Sequence, residues 1–499
     1  MLPYRWGHIM KIRVLSFLAF AAALPAAPAT AFQMGDATQT LCADGTNALC
    51  STQPTDMNGH PPSIGYDPNT SEGGPQSFNQ TFVDYFGWQA FVALNWPVDA
   101  DGRPSTGRTI VTDTTSPRVW TTFKTKDDVF GTEKSALSGT DCATKKGSLK
   151  LFRTSKFGLS DFTEAFTPYP LIDRQGNFVL YDVRLNDTEV KYLLSNNLTT
   201  KAGQQAFGKA YDFPGGSGTQ VGSIEIKSSW RIMTDKDDRS RYYTSPATIV
   251  VPAKYSETDQ PMCIEAVVGL VGMHIMQKFS NPSLFSNFWS WSTFEHALNA
   301  PLADGAPVSP VNPRSTVTSL APPACNRSPD PGDTTSYSFY NQACQSGTQN
   351  CPVNQPPKLQ GSQTVYKWSA SQPYASAYLT AGANGKYGTQ VARCFALYPS
   401  ALMVSKTFQA QLANSPWSNY MLVGAQWAAN TTTETGPFQK LSPFAAPLYL
   451  ANTTSETYLQ TGSLTDPNKG SGSCITCHNL GTDTANNPSN FSFLPGDAQ

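Results

Sequence analysis

A pentapeptide near the C-terminal end, Cys474-Ile475-Thr476-Cys477-His478, constrains this chain more than any other feature. Two cysteines separated by two residues and followed at once by histidine form the attachment pattern of a c-type haem. Each thiol forms a thioether to a porphyrin vinyl group, and the adjacent histidine reaches one face of the iron as an axial ligand. The pattern predicts one covalent haem c, attached to Cys474 and Cys477 and ligated by His478.

Three other interpretations of the cysteine pair stay open. The pair could form a structural disulfide, or a thioredoxin-like redox pair, which requires a strand-to-helix context. The flanking Ser471-Gly472-Ser473 and Asn479-Leu480-Gly481 are more typical of a loop that leads into a short helical turn. A zinc site needs two more ligands at short spacing, and the neighbouring sequence offers none.

The N-terminal residues have the pattern of a secretory signal peptide. Lys11 and Arg13 precede an apolar stretch at 14–27, and Ala29-Thr30-Ala31 is a small-residue cleavage signal. We therefore expect a signal peptide over residues 1–31. No later apolar run is long enough to cross a bilayer, so we expect no membrane span in the mature chain.

The cysteine content agrees with export, because haem c attachment in bacteria and disulfide formation both take place outside the cytoplasm. Short loops favour the pairs Cys42–Cys50 and Cys344–Cys351, although connectivity cannot be deduced from sequence. We expect a periplasmic protein, with secretion as the alternative. The cysteines outside the pentapeptide are Cys42, Cys50, Cys142, Cys263, Cys325, Cys344, Cys351 and Cys394.

Composition excludes one class of partner. Charged residues make up 14% of the chain, the formal net charge is −1, and no basic run occurs, so nucleic acid is not an expected partner. We divide the mature chain into an irregular arm (32–75), a main domain (76–465) and a haem-attachment segment (466–499) packed on that domain. A region rich in proline and cysteine, at about 306–373, is expected to be a surface insertion held by disulfides.

The predicted fold class is α+β: one large β-rich domain with two or three buried helices. Residues 79–96 have a helical stripe of aromatic side chains. A hairpin is expected around 173–177, a short helix over 187–198, and a pair of strands at 223–233 and 241–251. Residues 263–279 are the most apolar stretch after the export segment, and their length favours a buried helix.

If the iron has a second protein ligand, we expect that ligand to come from residues that precede Cys474. Only 21 residues follow His478, and none of them is His, Met, Cys or Lys. We expect the distal ligand to be His274, within the apolar stretch, or His296, within the aromatic segment 288–301. An open distal site is the alternative, in which Glu295 and His296 would act as catalytic acid and base. Each of these histidines could instead be an ordinary buried residue.

Several motifs recur together in a known family. They are residues 88–97 (WQAFVALNWP), the hairpin at 171–185, and the segments 225–230, 269–274, 291–301, 450–458 and 491–494, with the pentapeptide between the last two. This set resembles the exported bacterial proteins identified only as cytochrome c family proteins. The resemblance implies a haem c and a periplasmic location, and it implies no particular reaction.

Three functions follow from these observations. The first is electron transfer between redox partner proteins of the periplasm. The second is a mono-haem oxidoreductase, resembling a peroxidase or oxygenase, that acts on a small-molecule substrate at an open distal site. The third is a binding or sensing protein in which the haem is structural. The large scaffold favours an enzyme, whereas electron transfer requires no more than a haem near the surface.

Overall fold

The fold was obtained as a computed structural model. The structure describes residues 40–55, 80–131, 142, 149–151, 167, 169–281, 286–309, 325, 333, 335–344, 352–382, 385–428, 447–462 and 472–499. The predicted signal peptide (1–31) and much of the predicted arm (32–75) lie outside these ranges. Among the described residues, no helix combines the length and apolar character needed to cross a membrane.

A large, mainly antiparallel sheet forms the centre of the protein. Its path runs β1-β3-β4-β6-β5-β2, and β7 joins β6 to β10. Only the pairing of β2 with β5 is parallel among these strands. The predicted α+β class is therefore confirmed. The strands of this sheet are β1 (Lys124–Thr125), β2 (Leu149–Leu151), β3 (Leu180–Leu185), β4 (Ile224–Ile232), β5 (Thr244–Val251), β6 (Met262–Asn281), β7 (Ser286–His296) and β10 (Tyr420–Ala428). A separate pair is formed by β8 (Thr380–Gly382) and β9 (Gly385–Tyr387).

The most apolar stretch is a strand, so the prediction of a buried helix over 263–279 is wrong. This stretch lies in β6, which pairs with β4, β5 and β7. A central strand that is covered on both faces is apolar at nearly every position, and its sequence then has no period that separates strand from helix. A glycine fits here because a Cβ at Gly272 would collide with Ser229 and Thr454.

Helices lie on both faces of the sheet. They are α1 (Gln80–Leu94), α2 (Lys126–Phe130), α3 (Asp187–Ser195), α4 (Lys201–Phe207), α5 (Pro399–Gln411) and α6 (Cys474–His478). Helices α1 and α5 lie on the face of Phe294, and α2, α3 and α6 lie on the face of Trp291. The predicted helices at 79–96 and 187–198 are confirmed as α1 and α3. Trp88 of α1 stacks on Phe408 of α5 at 5.1 Å between ring centroids, and Phe91 stacks on Phe294 of β7 at 4.2 Å. These aromatic contacts attach α1 and α5 to the sheet.

Disulfides join distant parts of the chain. The predicted Cys42–Cys50 bridge is confirmed, and Cys142–Cys263 and Cys325–Cys394 are also bridged. The predicted partner of Cys344, residue 351, lies outside the described ranges. Part of the expected surface insertion is not at the surface, because Trp368 is 1% exposed and packs on Phe178 at 5.0 Å between ring centroids.

Candidate functional site

One face of the central sheet presents two rows of side chains to the C-terminal segments. Residues directly opposite each other in antiparallel strands point to the same face. The first row runs across β4, β6 and β7 as Lys227, His274 and Thr293. The second row runs as Glu225, Met276 and Trp291, and β10 extends it with Gln426. The polar groups of this face therefore come from four strands, β4, β6, β7 and β10.

The pentapeptide lies over this face as helix α6. A bridge between Leu450 and Ser473 brings the chain to the sheet, and Gln426 holds the start of the helix. The Gln426 side-chain carbonyl accepts hydrogen bonds from the Ile475 amide at 3.2 Å and from the Ser473 hydroxyl at 3.3 Å. The helix thus has a fixed position next to Trp291. None of the three disulfides described above includes Cys474 or Cys477.

His478 has a defined tautomer. Its Nδ1 lies 2.7 Å from the carbonyl oxygen of Phe491. A carbonyl can only accept a hydrogen bond, so Nδ1 carries the proton and Nε2 keeps its lone pair. Asn490 and Phe491 both have positive φ, 54° and 72°. Two consecutive non-glycine residues in this region are strained, which is common where backbone positions a functional group. The ring lies between Trp291 and Phe493, at 5.8 and 5.2 Å between centroids.

A cavity separates the pentapeptide from the sheet. Its empty volume, including the part open to solvent, is about 780 Å³. Most of its wall is apolar, and a few ionisable groups converge on it. The lining residues are Val183, Glu225, Ile226, Lys227, His274, Met276, Trp291, Leu450, Glu456, Leu459, Ser473, Cys474, Cys477, His478, Phe493 and Leu494.

His274, predicted as a distal ligand, lines the same cavity as His478. Its Nε2 lies 3.1 Å from a carboxylate oxygen of Glu456. Glu456 also accepts a hydrogen bond from the backbone amide of Asn452, at 3.0 Å between nitrogen and oxygen. Lys227 Nζ lies 3.8 Å from a Glu456 carboxylate oxygen. His274 therefore belongs to a cluster of side chains that contains one acidic residue, Glu456, and one basic residue, Lys227. A carboxylate bound to one ring nitrogen holds the ring in position.

His296, the other predicted distal ligand, does not line the cavity. Side chains alternate between faces along a strand, so His296 points away from the face of Trp291 and Thr293. Its ring stacks on Tyr242 at 4.0 Å between centroids. Nε2 bonds the Arg241 carbonyl at 2.9 Å, and Nδ1 accepts the Leu298 amide at 3.2 Å. Burial lowers the pKa of His296 to about 3, so the ring is neutral with both nitrogens bonded.

Glu295 does not form a catalytic pair with His296, because the two side chains lie on opposite faces of β7. The Glu295 carboxylate is fully buried and binds Arg393 through both oxygens, at 2.7 and 3.2 Å. The amide and hydroxyl of Thr453 each donate to it at 2.6 Å. All of its acceptors are thus used in a structural ion pair. We correct the predicted roles of both residues to packing and anchoring of the segment at 452–456.

Sequence reasoning missed three residues of the site, namely Glu225, Lys227 and Glu456. Glu225 and Lys227 occupy alternate positions of a strand in which every residue is buried. Charged residues at alternate positions of an otherwise buried strand were the available signal, because buried charges are rare unless they are paired or functional. Glu456 carries no such signal, since it lies in irregular chain. No protein-family model, no curated protein and no solved structure matches this chain.

Proposed function

We propose that this chain is a c-type cytochrome of the bacterial periplasm that holds one covalent haem and transfers electrons between redox proteins. Cys474 and Cys477 would form the thioethers, and His478 would be the proximal ligand. When bound, haem iron supplies one-electron redox chemistry. The three disulfides support a location outside the reducing cytoplasm.

A single observation carries the proposal: both cysteines and the histidine of the pentapeptide line one mostly apolar cavity. A chance match to the sequence pattern has no reason to lie at such a cavity. The tautomer of His478 also fits a metal ligand. The Phe491 carbonyl accepts a hydrogen bond from Nδ1, so the lone pair of the neutral ring is on Nε2, the nitrogen that would bind the metal. Metal-bound histidines usually have such a partner on the other nitrogen.

The chain's own residues have clear tasks in this site. The Phe491 carbonyl fixes the orientation of His478, and Trp291 and Phe493 pack beside its ring. Apolar side chains exclude water, which raises the energetic weight of every charge inside the cavity. Gln426 anchors the helix that carries both thiols.

A second function has a specific observation in its favour. His274 faces the cavity with Glu456 on its ring nitrogen, an arrangement suited to holding and moving a proton. This supports an oxidoreductase in which His274 is the acid/base group and a small molecule binds within the cavity. In the electron carrier, by contrast, His274 would leave Glu456 and ligate the iron.

The haem itself is tested by expressing the full chain in a bacterium that attaches haem c. We expect wild-type protein to keep its haem through denaturing electrophoresis and to give a reduced c-type spectrum. Cys474→Ala with Cys477→Ala should lose the covalent haem. Thr476→Ser, within the same helix, is the matched control and should keep it. Wild-type protein that carries no haem would overturn the proposal.

The two functions are separated by carbon monoxide and by substitution of His274. In a carrier with two axial ligands, the reduced spectrum should be insensitive to carbon monoxide, and His274→Ala should give a high-spin spectrum. Rapid binding of carbon monoxide by wild-type protein would favour the enzyme instead. His296→Phe is the control, because its ring lies on the other face of the sheet.

A further inference from the structure

Glu189 is an ionisable residue in an unusual position behind the cavity. It lies in the first turn of α3 and is fully buried. When both groups are ionised, neither of its oxygens finds a hydrogen-bond donor among the described residues, and its contact with the Glu225 carboxyl group becomes a hydrogen bond only if one of the two carries a proton. A buried carboxylate without donors is costly, and such a group commonly has a function or carries a proton.

The neighbour of Glu189 is a second carboxyl group, Glu225, which lines the cavity. Burial raises the pKa of Glu189 well above its ordinary value, and the nearby Glu225 charge raises it further. Two close carboxyl groups share protons and titrate as a unit. A proton on one of them also supplies the hydrogen-bond donor that Glu189 otherwise lacks.

Lys278 is a buried cation that is ion-paired to an exposed carboxylate and acts electrostatically on Glu189. Its side chain is fully buried, and Nζ donates to Asp212 and to Asn490, both at 2.8 Å. The Asp212 side chain is 77% exposed. The Lys278 charge acts on Glu189 and partly offsets the raised pKa. Asp212 at the surface is thus bonded to Lys278, the Lys278 charge acts on Glu189, and Glu225 beside Glu189 lines the cavity.

The charged groups that act on Glu189 come from two neighbouring strands: Glu225 from β4 and Lys278 from β6. Asp212 acts through its ion pair with Lys278. On its own helix, Asp187 and Lys191 are exposed and solvent-screened. The protonation of Glu189 is thus governed mainly by its burial and by the charges of Glu225 and Lys278.

We infer that the Glu189–Glu225 pair takes up a proton from bulk water, along Asp212 and Lys278, whenever the cavity site gains an electron. This inference rests on the proposed function. A one-electron donor protein supplies the electron, and one carboxylate of the pair becomes a carboxylic acid. One electron and one proton enter together, so the net charge of the site does not change. The physical cause is Coulombic, because added negative charge in a poorly screened cavity disfavours a nearby carboxylate.

The test begins with the haem content of purified wild-type protein, because absence of haem refutes the proposed function and not the proton pair. In haem-loaded protein we expect the reduction equilibrium at fixed potential to shift up to tenfold per pH unit. The variant Glu189→Gln/Glu225→Gln should lose this dependence. Asp187→Asn is the matched control and should keep it.

Infrared difference spectra of wild-type protein test the inference without any variant. Reduction should produce the carbonyl band of a protonated carboxylic acid, and isotope-labelled glutamate should shift that band. Haem-loaded protein that shows no such band, or a reduction equilibrium independent of pH, would overturn the inference. After flash reduction, Asp212→Asn should slow proton uptake from a buffered dye. An unchanged rate would remove Asp212 and Lys278 from the route.

Discussion

Asp84 gives a quantitative prediction about stability. This residue of α1 is fully buried, and its carboxyl group accepts hydrogen bonds from Gln80 and Ser400. Burial nevertheless dominates and raises the pKa of Asp84 from 3.8 to about 7. The folded protein therefore binds this proton more tightly than the unfolded chain does. Between pH 3.8 and about 7 the free energy of unfolding must fall as pH rises.

The size of this effect follows from the two pKa values. They differ by about 3, and a difference of one corresponds to about 1.4 kcal/mol. The ionisable group should thus lower the free energy of unfolding by up to about 4 kcal/mol between pH 4 and pH 8. Asn at this position keeps the shape of the side chain and cannot ionise, so Asp84→Asn should remove that part of the pH dependence.

Urea denaturation of the protein with its disulfides intact measures the effect. The informative quantity is the wild-type free energy of unfolding minus that of Asp84→Asn, because other titrating groups cancel in it. This difference should become more negative by up to about 4 kcal/mol from pH 4 to pH 8. The exposed Asp101→Asn serves as the control and should give a flat difference. A flat difference for Asp84→Asn as well would refute the reasoning.

Three further substitutions test the structural assignments. Arg393→Met leaves the Glu295 charge buried and unpaired, so denaturation should show a loss of about 3–5 kcal/mol; a loss below about 1 kcal/mol would contradict a buried ion pair. His296→Phe should cost about 1–3 kcal/mol through its two hydrogen bonds and leave the haem spectrum unchanged, whereas an altered spectrum would place this residue at the cavity. Gly272→Ala should lower the free energy of unfolding by about 1–3 kcal/mol, because the new methyl group collides with Ser229 and Thr454. Unchanged stability would show that these two side chains move aside without cost.

Much of the local structure could be predicted from sequence. Helix α1 follows from the aromatic stripe and from Pro97, which ends the pattern. Helix α3 follows from the capping residue types at 186–187, and in the structure the Asn186 side chain accepts a hydrogen bond from the Glu189 amide. Strands β4 and β5 follow from their β-branched and aromatic composition. These elements are encoded by neighbours in sequence, so local rules suffice.

The partners of these elements could not be predicted. Strands β4 and β5 were expected to form a pair, yet β6 lies between them. The sequence of β6 has no usable period, because both of its faces are covered. Its length alone favoured a helix, and only its pairing with β4, β5 and β7 makes it a strand. The two disulfides Cys142–Cys263 and Cys325–Cys394 likewise depend on long-range proximity.

The pentapeptide at 474–478 determined by itself the chemistry that this chain is proposed to perform, because haem attachment depends on residue types at a fixed local spacing. Only the tertiary structure decided which other residues line the cavity beside the pentapeptide. Strand alternation turns His274 towards the cavity and His296 away from it, and strand register brings Glu225 and Lys227 to the same wall. A shift of one residue in β6 or β7 would exchange these faces. Such a choice depends on the packing of the whole sheet, and no local pattern encodes it.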